Sequence, residues 1–434
     1  MRTGGRFISD DPLVKMWKYP GPAPLLERPG ASPRGPRDIF ANMKGAKGMR
    51  AVLTALAIWA AGLGAAAQFG KMSVIYQQLG DQYSDHGAVS IGFMVSIIGI
   101  IGLIFGTTAG VLVARIGPKR AMLVALALGA VVSIAQSFLP PFGWMMASRV
   151  PEGLSHLAIV VVGPTAIAAT ASPRFQGLVM TLWGSFFGLT FTILALFGPD
   201  LVARHGISAL FQAHAAWLVF CLVILAVLMP RDPLRAAGRM FAGIAALHLH
   251  TYRSARIAAP AMGFVCYTVT YVAILTLLPG AVGPEWGHFI AVAMPLVSIF
   301  ASLSMGVWLL GHISAVQLVQ YGFGMCIIAG LGLWAVWGQG PWQAGFACLL
   351  SASMGIVQGA SFASIPQLNP KPDDRALAAG AIAQLGNLGT TTGTPLLALI
   401  LPVAGAGGLA VFVIGFSALG IALHALQSRR RGLG

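Results

Sequence analysis

The feature that most constrains this chain is a series of long apolar segments that contain very few charged residues. Residues 88–114, for example, carry no charged residue, and about 20 apolar residues are enough for a helix to cross a bilayer. Twelve such segments follow one another, at residues 51–74, 88–113, 121–140, 144–170, 177–198, 207–229, 258–279, 287–310, 314–336, 342–365, 377–400 and 404–427. The sequence therefore predicts an all-α polytopic membrane protein with twelve transmembrane helices. The even number places both termini on one side.

Composition supports this prediction and argues against a soluble nucleic-acid-binding protein. Hydrophobic residues make up 57% of the 434 residues and charged residues only 9%, whereas soluble domains carry about 25% charged residues. The net charge is +15, but all Lys and Arg residues except Lys71, Arg149 and Arg204 lie on the side of the predicted helices that carries the termini. Because cations are retained on the cytoplasmic side, both termini are predicted to be cytoplasmic, in a bacterial inner membrane.

The hydropathy pattern divides the chain into five parts. Residues 1–49 are basic and rich in Pro and Gly, which predicts a disordered cytoplasmic tail. Residues 50–229 and 258–428 each hold six apolar segments, 230–257 form a basic cytoplasmic central loop, and 429–434 form a second basic tail. The four cysteines lie inside apolar segments without CxxC spacing, so they are predicted to be packing residues rather than a disulfide or metal site.

A short basic sequence separates the second and third segments: Gly110-Val-Leu-Val-Ala-Arg-Ile-Gly-Pro-Lys-Arg120. It resembles the signature loop of the major facilitator superfamily, which runs Gly, three spacers, Asp-Arg, a spacer, and Gly followed by basic residues. The matching residues are Gly110, Arg115, Gly117, Lys119 and Arg120. The resemblance extends over about residues 50–428 and implies that these residues form a conformational-switch loop.

The resemblance also implies the architecture and the general mechanism. Two six-helix bundles would be related by a pseudo-two-fold axis along the membrane normal, and a solute would cross by alternating access of a cavity between them. The sequence permits such a repeat, because the second and eighth segments align with small residues at every fourth position: Gly102, Gly106 and Gly110 with Ser298, Ser302 and Gly306. Small residues at this spacing let helices approach closely.

The fourth segment contains the most informative polar residues, in Arg149-Val-Pro-Glu-Gly-Leu-Ser-His156. Arg149, Glu152 and His156 lie along one helical face, and Glu152 is the only acid within the twelve predicted segments. An ionised group near the bilayer centre costs at least about 2.5–3.5 kcal/mol, so such residues are candidates for function. A second family motif, Arg, two spacers, a polar residue and Gly, is associated with proton-coupled members, and this stretch resembles it.

The resemblance therefore implies a coupling or substrate role for Arg149, with Glu152 or His156 carrying the proton. His156 has an ordinary pKa closer to neutrality, so both groups remain candidates. Two simpler interpretations also remain: the Arg149 and Glu152 charges neutralise each other, or Arg149 lies near the outer interface.

Other polar residues in the apolar segments are candidates for cavity lining. Lys71 lies near the outer end of the first segment, which favours an interfacial lysine whose ammonium reaches the headgroups. The alternative is a cavity cation that attracts an anionic solute, with Gln68 and Tyr76 in the same region. The remaining candidates are Tyr267, Tyr271, Gln358, Gln384 and Asn387, although such groups also form bonds between helices.

No enzymatic motif such as HExxH, GxSxG or a phosphate-binding loop is present, so the sequence predicts neither an enzyme nor a bound cofactor or metal. Two intramembrane cations against one acid favour a small organic anion or a polar neutral solute, moved by proton symport. The expected partners are this solute, protons and membrane lipids, and not nucleic acid. The alternatives are a proton-driven drug or metabolite efflux antiporter and, in another class, a non-transporting membrane sensor or assembly factor.

The signature loop yields the first testable prediction. Ala114 stands where the family usually has Asp, and in the family this acid helps to hold the cytoplasmic side closed. We expect Ala114→Asp to shift the balance between inward-open and outward-open states, measured by thiol labelling of cysteines engineered on both faces. Unchanged labelling on both faces would contradict a latch at this loop.

Overall fold

The computed structural model describes residues 46–171, 176–232 and 244–432. The predicted N-terminal tail lies outside the described residues except for its last positions, where a helix begins at Ala46. Arg174, residues 233–243 of the predicted central loop and the last two residues of the chain also lie outside them.

The described residues form helices and connecting turns, as expected for a chain that must satisfy its backbone hydrogen bonds within a membrane. Eleven of the helices are long and apolar enough to cross a bilayer. The last one, Pro372–Gly432, contains two spans because Gly405 has a φ of 52°, a left-handed conformation that glycine adopts without strain. The prediction of an all-α protein with twelve spans is therefore confirmed.

The spans are numbered 1 to 12 in chain order. Their helices are Ala46–Val74 (span 1), Ala88–Ser96 with Ile100–Phe105 and Ala109–Ile116 (span 2), Pro118–Ser137 (span 3), Phe142–Thr170 (span 4), Gln176–Gly184 with Phe186–His205 (span 5), Ile207–Leu228 (span 6), Ala259–Ala281 (span 7), Pro284–Ala301 with Val307–Leu310 (span 8), Ala315–Ala335 (span 9), Pro341–Leu368 (span 10), and residues 372–404 and 406–432 of the last helix (spans 11 and 12). A short helix, Tyr76–Gln82, follows span 1.

Spans 2 and 8 are irregular at corresponding places, as expected for related halves. Span 2 leaves the α-helix after Phe105, and span 8 passes through a π-helical turn at Ser302–Gly306. These two places correspond in the sequence alignment of the second and eighth segments. Span 2 packs against spans 4 and 11, and span 8 packs against spans 10 and 5. These contacts are equivalent under a two-fold relation between spans 1–6 and spans 7–12, so the chain folds as two six-helix bundles.

Close helix contacts join the two bundles. Gly92 of span 2 lies against the Pro395 backbone of span 11, and the Ser96 hydroxyl donates to the Thr391 carbonyl at 2.9 Å. Span 1 meets span 7 where the Thr276 hydroxyl donates to the Ser73 hydroxyl at 2.9 Å. Glycine allows the first of these contacts, because a side chain there would overlap the opposing backbone.

One end of the bundle carries most of the described basic residues, and we call it the basic end. Arg50 donates to the Val227 carbonyl at the end of span 6 at 3.1 Å, and Lys119 donates to the Met229 carbonyl at 2.8 Å. Arg430 at the end of span 12 donates to the Arg253 carbonyl at 3.2 Å. The opposite end, where spans 1 and 2 are joined, is called the distal end.

A helix at Ile244–Arg253 occupies part of the predicted central loop and contacts both bundles. The His248 ring lies 3.2 Å from the Thr107 hydroxyl of span 2, and the Tyr252 hydroxyl donates to the Gln384 side chain of span 11 at 2.7 Å. The connection between the bundles is therefore anchored at the contact between spans 2 and 11.

The packing of Gly92 gives a prediction about stability. A Cβ on Gly92 would lie 2.9 Å from the Pro395 Cα, and this backbone has little freedom to move. We expect Gly92→Val to lower stability by about 1–3 kcal/mol, as overpacked contacts do, measured by thermal unfolding in detergent. Gly415→Val is the matched control, because Gly415 has no neighbouring atom within 4 Å of the added Cβ. Equal effects of both changes would contradict this account of the contact.

Candidate functional site

Three charged residues meet inside the first bundle. We call Lys71 of span 1 and Arg149 and Glu152 of span 4 the ion cluster. Each is fully buried, with 0% of its surface exposed. Glu152 is the only acid among the described residues that is buried in this way. Charges inside a membrane normally pair with one another and mark functional sites, so this cluster is the candidate site.

The Glu152 carboxylate lies between the two cations. Its Oε1 lies 2.6 Å from the Lys71 ammonium, and its Oε2 forms an ion pair with the Arg149 guanidinium. Gln136 of span 3 also donates to Oε2, at 2.8 Å. Oε2 therefore accepts hydrogen bonds from two side chains, whereas Oε1 has only its ion pair with Lys71. The three charges leave an excess of one positive charge.

Lys71 is enclosed by the first bundle and its ammonium does not extend outward to the headgroups, so the favoured sequence interpretation was wrong. Its ammonium donates to the Ser133 hydroxyl at 2.6 Å and to the Gln136 side-chain carbonyl at 2.7 Å, besides its ion pair with Glu152. The position of Lys71 along span 1 could not reveal that span 4 supplies a counter-charge in the interior.

Arg149 is also held by fixed partners inside the first bundle. Its Nε donates to the Met94 carbonyl at 2.9 Å, and its Nη2 donates to the carbonyls of Gln68 and Val95 at 2.8 and 3.0 Å. Met94 and Val95 lie in the last turn of the first helix of span 2, where carbonyls are available because the α-helix ends. Arg149 thus links three spans.

The other predicted residues near the cluster take supporting positions. His156 is buried, but its Nδ1 lies 2.9 Å from the Ala65 carbonyl and its ring packs edge-on against Phe69. Gln68 donates to the Ser155 hydroxyl at 2.9 Å. Both side chains therefore connect spans 1 and 4, and the structure does not bring His156 into hydrogen-bond contact with Glu152.

His214 of span 6 completes the site and was missed by the sequence analysis. Its Nδ1 lies 2.6 Å from the Ser133 hydroxyl and 3.2 Å from the Lys71 ammonium. Its Nε2 lies 2.9 Å from the Gly64 carbonyl. A histidine in the middle of an apolar segment was an available signal, because ionisable residues in membrane helices are rarely without a role.

The remaining candidates lie away from the ion cluster. Tyr267 and Tyr271 are buried in the second bundle with their rings stacked at 5.1 Å. Gln384 donates to the Leu103 carbonyl of span 2 at 2.9 Å, and Asn387 lies against Gly102 in the same contact. Gln358 is half-buried in span 10. A role of these residues in solute binding stays a prediction.

The predicted switch loop is bonded to the end of span 6. Gly117 has a φ of 96°, and the backbone N–H groups of Lys119 and Arg120 donate to the two Asp232 carboxylate oxygens, each at 2.9 Å. Asp232 thus supplies an acid at this loop from another part of the same bundle. Arg115 is half-buried, and the Gly110 Cα faces open space. The latch function of the loop stays a prediction.

Two cavities lie near the site. The inter-bundle cavity, of about 800 Å³, opens between the bundles towards the distal end, and its lining includes Ser73, Gln77, Thr276 and His288. The side cavity, of about 540 Å³, lies within the first bundle between spans 1, 5 and 6.

The side cavity extends from the distal end to the ion cluster. Lys71 and His214 line its inner part, and Asp200, Arg204 and His205 line its outer part. Span 5 continues to His205 and therefore includes Asp200. The prediction that Glu152 is the only acid in a spanning helix was wrong in this respect. Asp200, however, is exposed near the distal end, where its carboxylate lies 3.6 Å from Arg204.

Comparison with known proteins agrees with this architecture. A family model described as Major Facilitator Superfamily matches residues 54–394, while no curated protein matches the sequence significantly. Among solved structures, the chain is similar to a bacterial homologue of the human lysosomal transporter Spinster. The inward-facing, unoccupied form has a TM-score of 0.68 and 13% identity, covering 89% of this chain and 98% of that one. The inward-facing, occupied form has a TM-score of 0.67 and 11% identity, covering 86% and 96%.

The charge balance of the ion cluster gives a prediction about stability. Glu152→Gln would leave two buried cations without a counter-charge, and breaking a buried ion pair costs roughly 3–5 kcal/mol. We expect the double variant Lys71→Met/Glu152→Gln to be more stable than Glu152→Gln alone, because it restores the original excess of one positive charge. Thermal unfolding of the three purified proteins measures this order, and a double variant that is less stable than Glu152→Gln would contradict it.

Proposed function

The chain belongs to the Major Facilitator Superfamily and is an integral membrane transporter, and we propose that it carries a small polar organic solute, preferably an anion, by proton symport. The observation that supports this proposal most directly is Glu152, a fully buried acid bonded to two buried cations. A carboxylate held in this way can take up a proton only if its cations rearrange or lose charge. Proton binding is therefore linked to the positions of spans 1 and 4.

Both cations of the ion cluster lie next to bonds between the bundles. Arg149 donates to the carbonyls of Met94 and Val95, and the following residue, Ser96, donates to Thr391 of span 11. Lys71 lies two residues before Ser73, which accepts from Thr276 of span 7. Protonation of Glu152 would release both cations from their common partner and so weaken or shift both contacts. This is the physical link that we propose between the proton and alternating access.

The lining of the inter-bundle cavity supports a polar solute. Among its described lining residues are hydroxyl and amide side chains, including Ser73, Gln77, Gln78 and Thr276, and no acid. A cationic solute would therefore enter without a counter-charge. The excess positive charge of the neighbouring ion cluster favours an anion instead. This charge would act through its electric field rather than by direct contact, because the side chains of Lys71 and Arg149 already have partners within the first bundle.

The same cavity supports one second candidate, a proton-driven efflux antiporter for a lipophilic compound. Phe191, Leu194, Leu275, Leu277 and Trp337 also line it and offer a large apolar surface. A buried protonatable acid serves antiport as well as symport, so the solute class decides between the two.

We further propose that the basic end faces the cytoplasm of a bacterial cell. Arg50, Lys119, Arg253 and Arg430 lie at this end, and cations flanking spans are retained on the cytoplasmic side. The inter-bundle cavity would then open towards the opposite side of the membrane.

A ligand screen followed by transport tests the proposal. Solutes that bind the folded protein raise its melting temperature with concentration, so purified protein is screened against carboxylates, sugars, nucleosides and lipophilic cations. We expect stabilisation by small anions or polar neutral compounds, and accumulation of the same compound in proteoliposomes driven by an inward proton gradient. Stabilisation by lipophilic cations alone would favour the antiporter, and a protein that neither binds nor moves any of them would favour the sensor hypothesis.

Variants then test the role of Glu152. We expect Glu152→Gln to lose accumulation driven by the proton gradient while retaining exchange of solute across the membrane, because exchange needs no net proton movement. Glu285→Gln, which removes an exposed acid at the start of span 8, is the matched control and should accumulate solute normally. Gradient-driven accumulation by Glu152→Gln would contradict the assignment of the proton site.

A further inference from the structure

We propose that His214 exchanges the coupling proton between the ion cluster and the side cavity, so that proton and solute use different cavities. This inference rests on the proposed proton coupling at Glu152 and adds the route by which the proton arrives and leaves. It is carried by a continuous chain of polar contacts, one ion pair and two hydrogen bonds, and by the position of the side cavity.

The hydrogen bonds define the direction in which a proton can move. The Gly64 carbonyl near Nε2 of His214 can only accept, so Nε2 carries the proton and Nδ1 offers a lone pair. Lys71 donates to the Ser133 hydroxyl at 2.6 Å, and this hydroxyl is 2.6 Å from Nδ1, to which it donates. Lys71 in turn contacts the Glu152 carboxylate. The polar atoms of Glu152, Lys71, Ser133 and His214 therefore follow one another at 2.6 Å, through one ion pair and two hydrogen bonds.

The side cavity reaches the His214 end of this series of polar contacts. Lys71 and His214 line the cavity, whereas Arg149 and Glu152 are not among its lining residues. The inter-bundle cavity has none of the three ion-cluster residues in its lining. His156, the other histidine near the cluster, is bonded to the Ala65 carbonyl. Among the described groups, His214 is thus the imidazole placed between the cluster and a cavity.

The transfer balances without any further reactant. Lys71 passes one N–H proton to the Ser133 oxygen while the Ser133 hydroxyl passes its proton to Nδ1 of His214. The products are a neutral amine and an imidazolium, which releases its Nε2 proton to water in the side cavity and remains as the neutral ring with its proton on Nδ1. The reverse sequence brings a proton from this water to Lys71 and then to the Glu152 carboxylate. No covalent bond other than N–H and O–H bonds forms or breaks.

Charged groups on every neighbouring element bear on His214. Lys71 on span 1 and Arg149 on span 4 oppose a positive imidazolium, and Glu152 on span 4 favours it. Span 3 contributes the neutral Ser133 and Gln136. Span 5 places Asp200, Arg204 and His205 in the outer part of the side cavity. Once Lys71 has given up its proton, Arg149 opposes the imidazolium and Glu152 favours it, so the ring is not held in one protonation state by a single neighbouring charge.

The experiment measures the rate of proton arrival and needs no solute. Protons are released by a light pulse from a caged acid around purified protein in lipid nanodiscs, and the carboxyl C=O band of Glu152 is followed by time-resolved infrared spectroscopy. Glu152→Gln assigns the band by its loss. We expect His214→Ala to slow the appearance of the band roughly 100-fold, the lower range for a positioned proton-transfer group, with an unchanged final amplitude. His424→Ala removes a buried imidazole of span 12 and should keep the wild-type rate.

Chemical rescue separates a relay from a structural role. Imidazole added to His214→Ala should enter the vacated space through the side cavity and restore most of the rate. Pyrrole, a ring of similar shape without a basic nitrogen, should not restore it. A structural defect would respond to both or to neither.

A second variant keeps the proposal testable if His214→Ala fails to fold. Ala67 lines the side cavity on span 1, and Ala67→Trp should fill the cavity and slow proton arrival while His214 is retained. A wild-type rate in both His214→Ala and Ala67→Trp would overturn the relay but leave the proton site intact. Absence of any Glu152 carboxyl band in the wild-type protein would instead overturn the proposed function itself.

Discussion

The first bundle is organised by the need to neutralise buried charge. An isolated cation inside a membrane-spanning bundle is costly, and Lys71 and Arg149 are tolerated there because Glu152 and a set of carbonyl and hydroxyl oxygens surround them. These partners come from spans 1, 2, 3 and 4, and His214 adds span 6. Because separating these charges costs free energy, they fix the mutual positions of five helices. Apolar side chains alone would fix them less firmly, because they pack against lipid as well as against one another.

The second bundle is held differently, and the contrast bears on how the transporter moves. Its described core is apolar and aromatic, with Tyr267 stacked on Tyr271 and glycines of span 11 against span 7. Among the described residues of the second bundle, no acid, lysine or arginine is buried. A change of protonation at Glu152 would therefore act on the first bundle directly and reach the second through contacts between the bundles, among them Ser96–Thr391 and Ser73–Thr276. This asymmetry suits rocking of one bundle against the other around a site between them.

Sequence reasoning predicted the fold well because lipid imposes simple rules on length and hydropathy, and the loop between spans 2 and 3 resembled a known family. It also selected Arg149 and Glu152, since charged residues in apolar segments are conspicuous. It failed for Lys71, because depth along one helix does not show which side chain of another helix lies opposite. It missed His214, Ser133 and Gln136 for the same reason: their importance arises from the packing of spans 3 and 6 around the ammonium. Asp232 was likewise unremarkable in sequence, although it binds the switch loop.

The separation of the proposed proton site from the proposed solute cavity has a consequence for the mechanism. A solute that shared a carboxylate with the proton would compete with it directly, and exchange of one for the other would produce antiport. Here Glu152 is enclosed by the first bundle, and the inter-bundle cavity is lined by other residues, so the two ligands can be bound at once. Coupling would then depend on how the charge of the ion cluster changes two contacts between the bundles, that of span 2 with span 11 and that of span 1 with span 7. Simultaneous occupancy is what symport requires, so this geometry is compatible with the symport that we propose, while the solute class decides between symport and antiport.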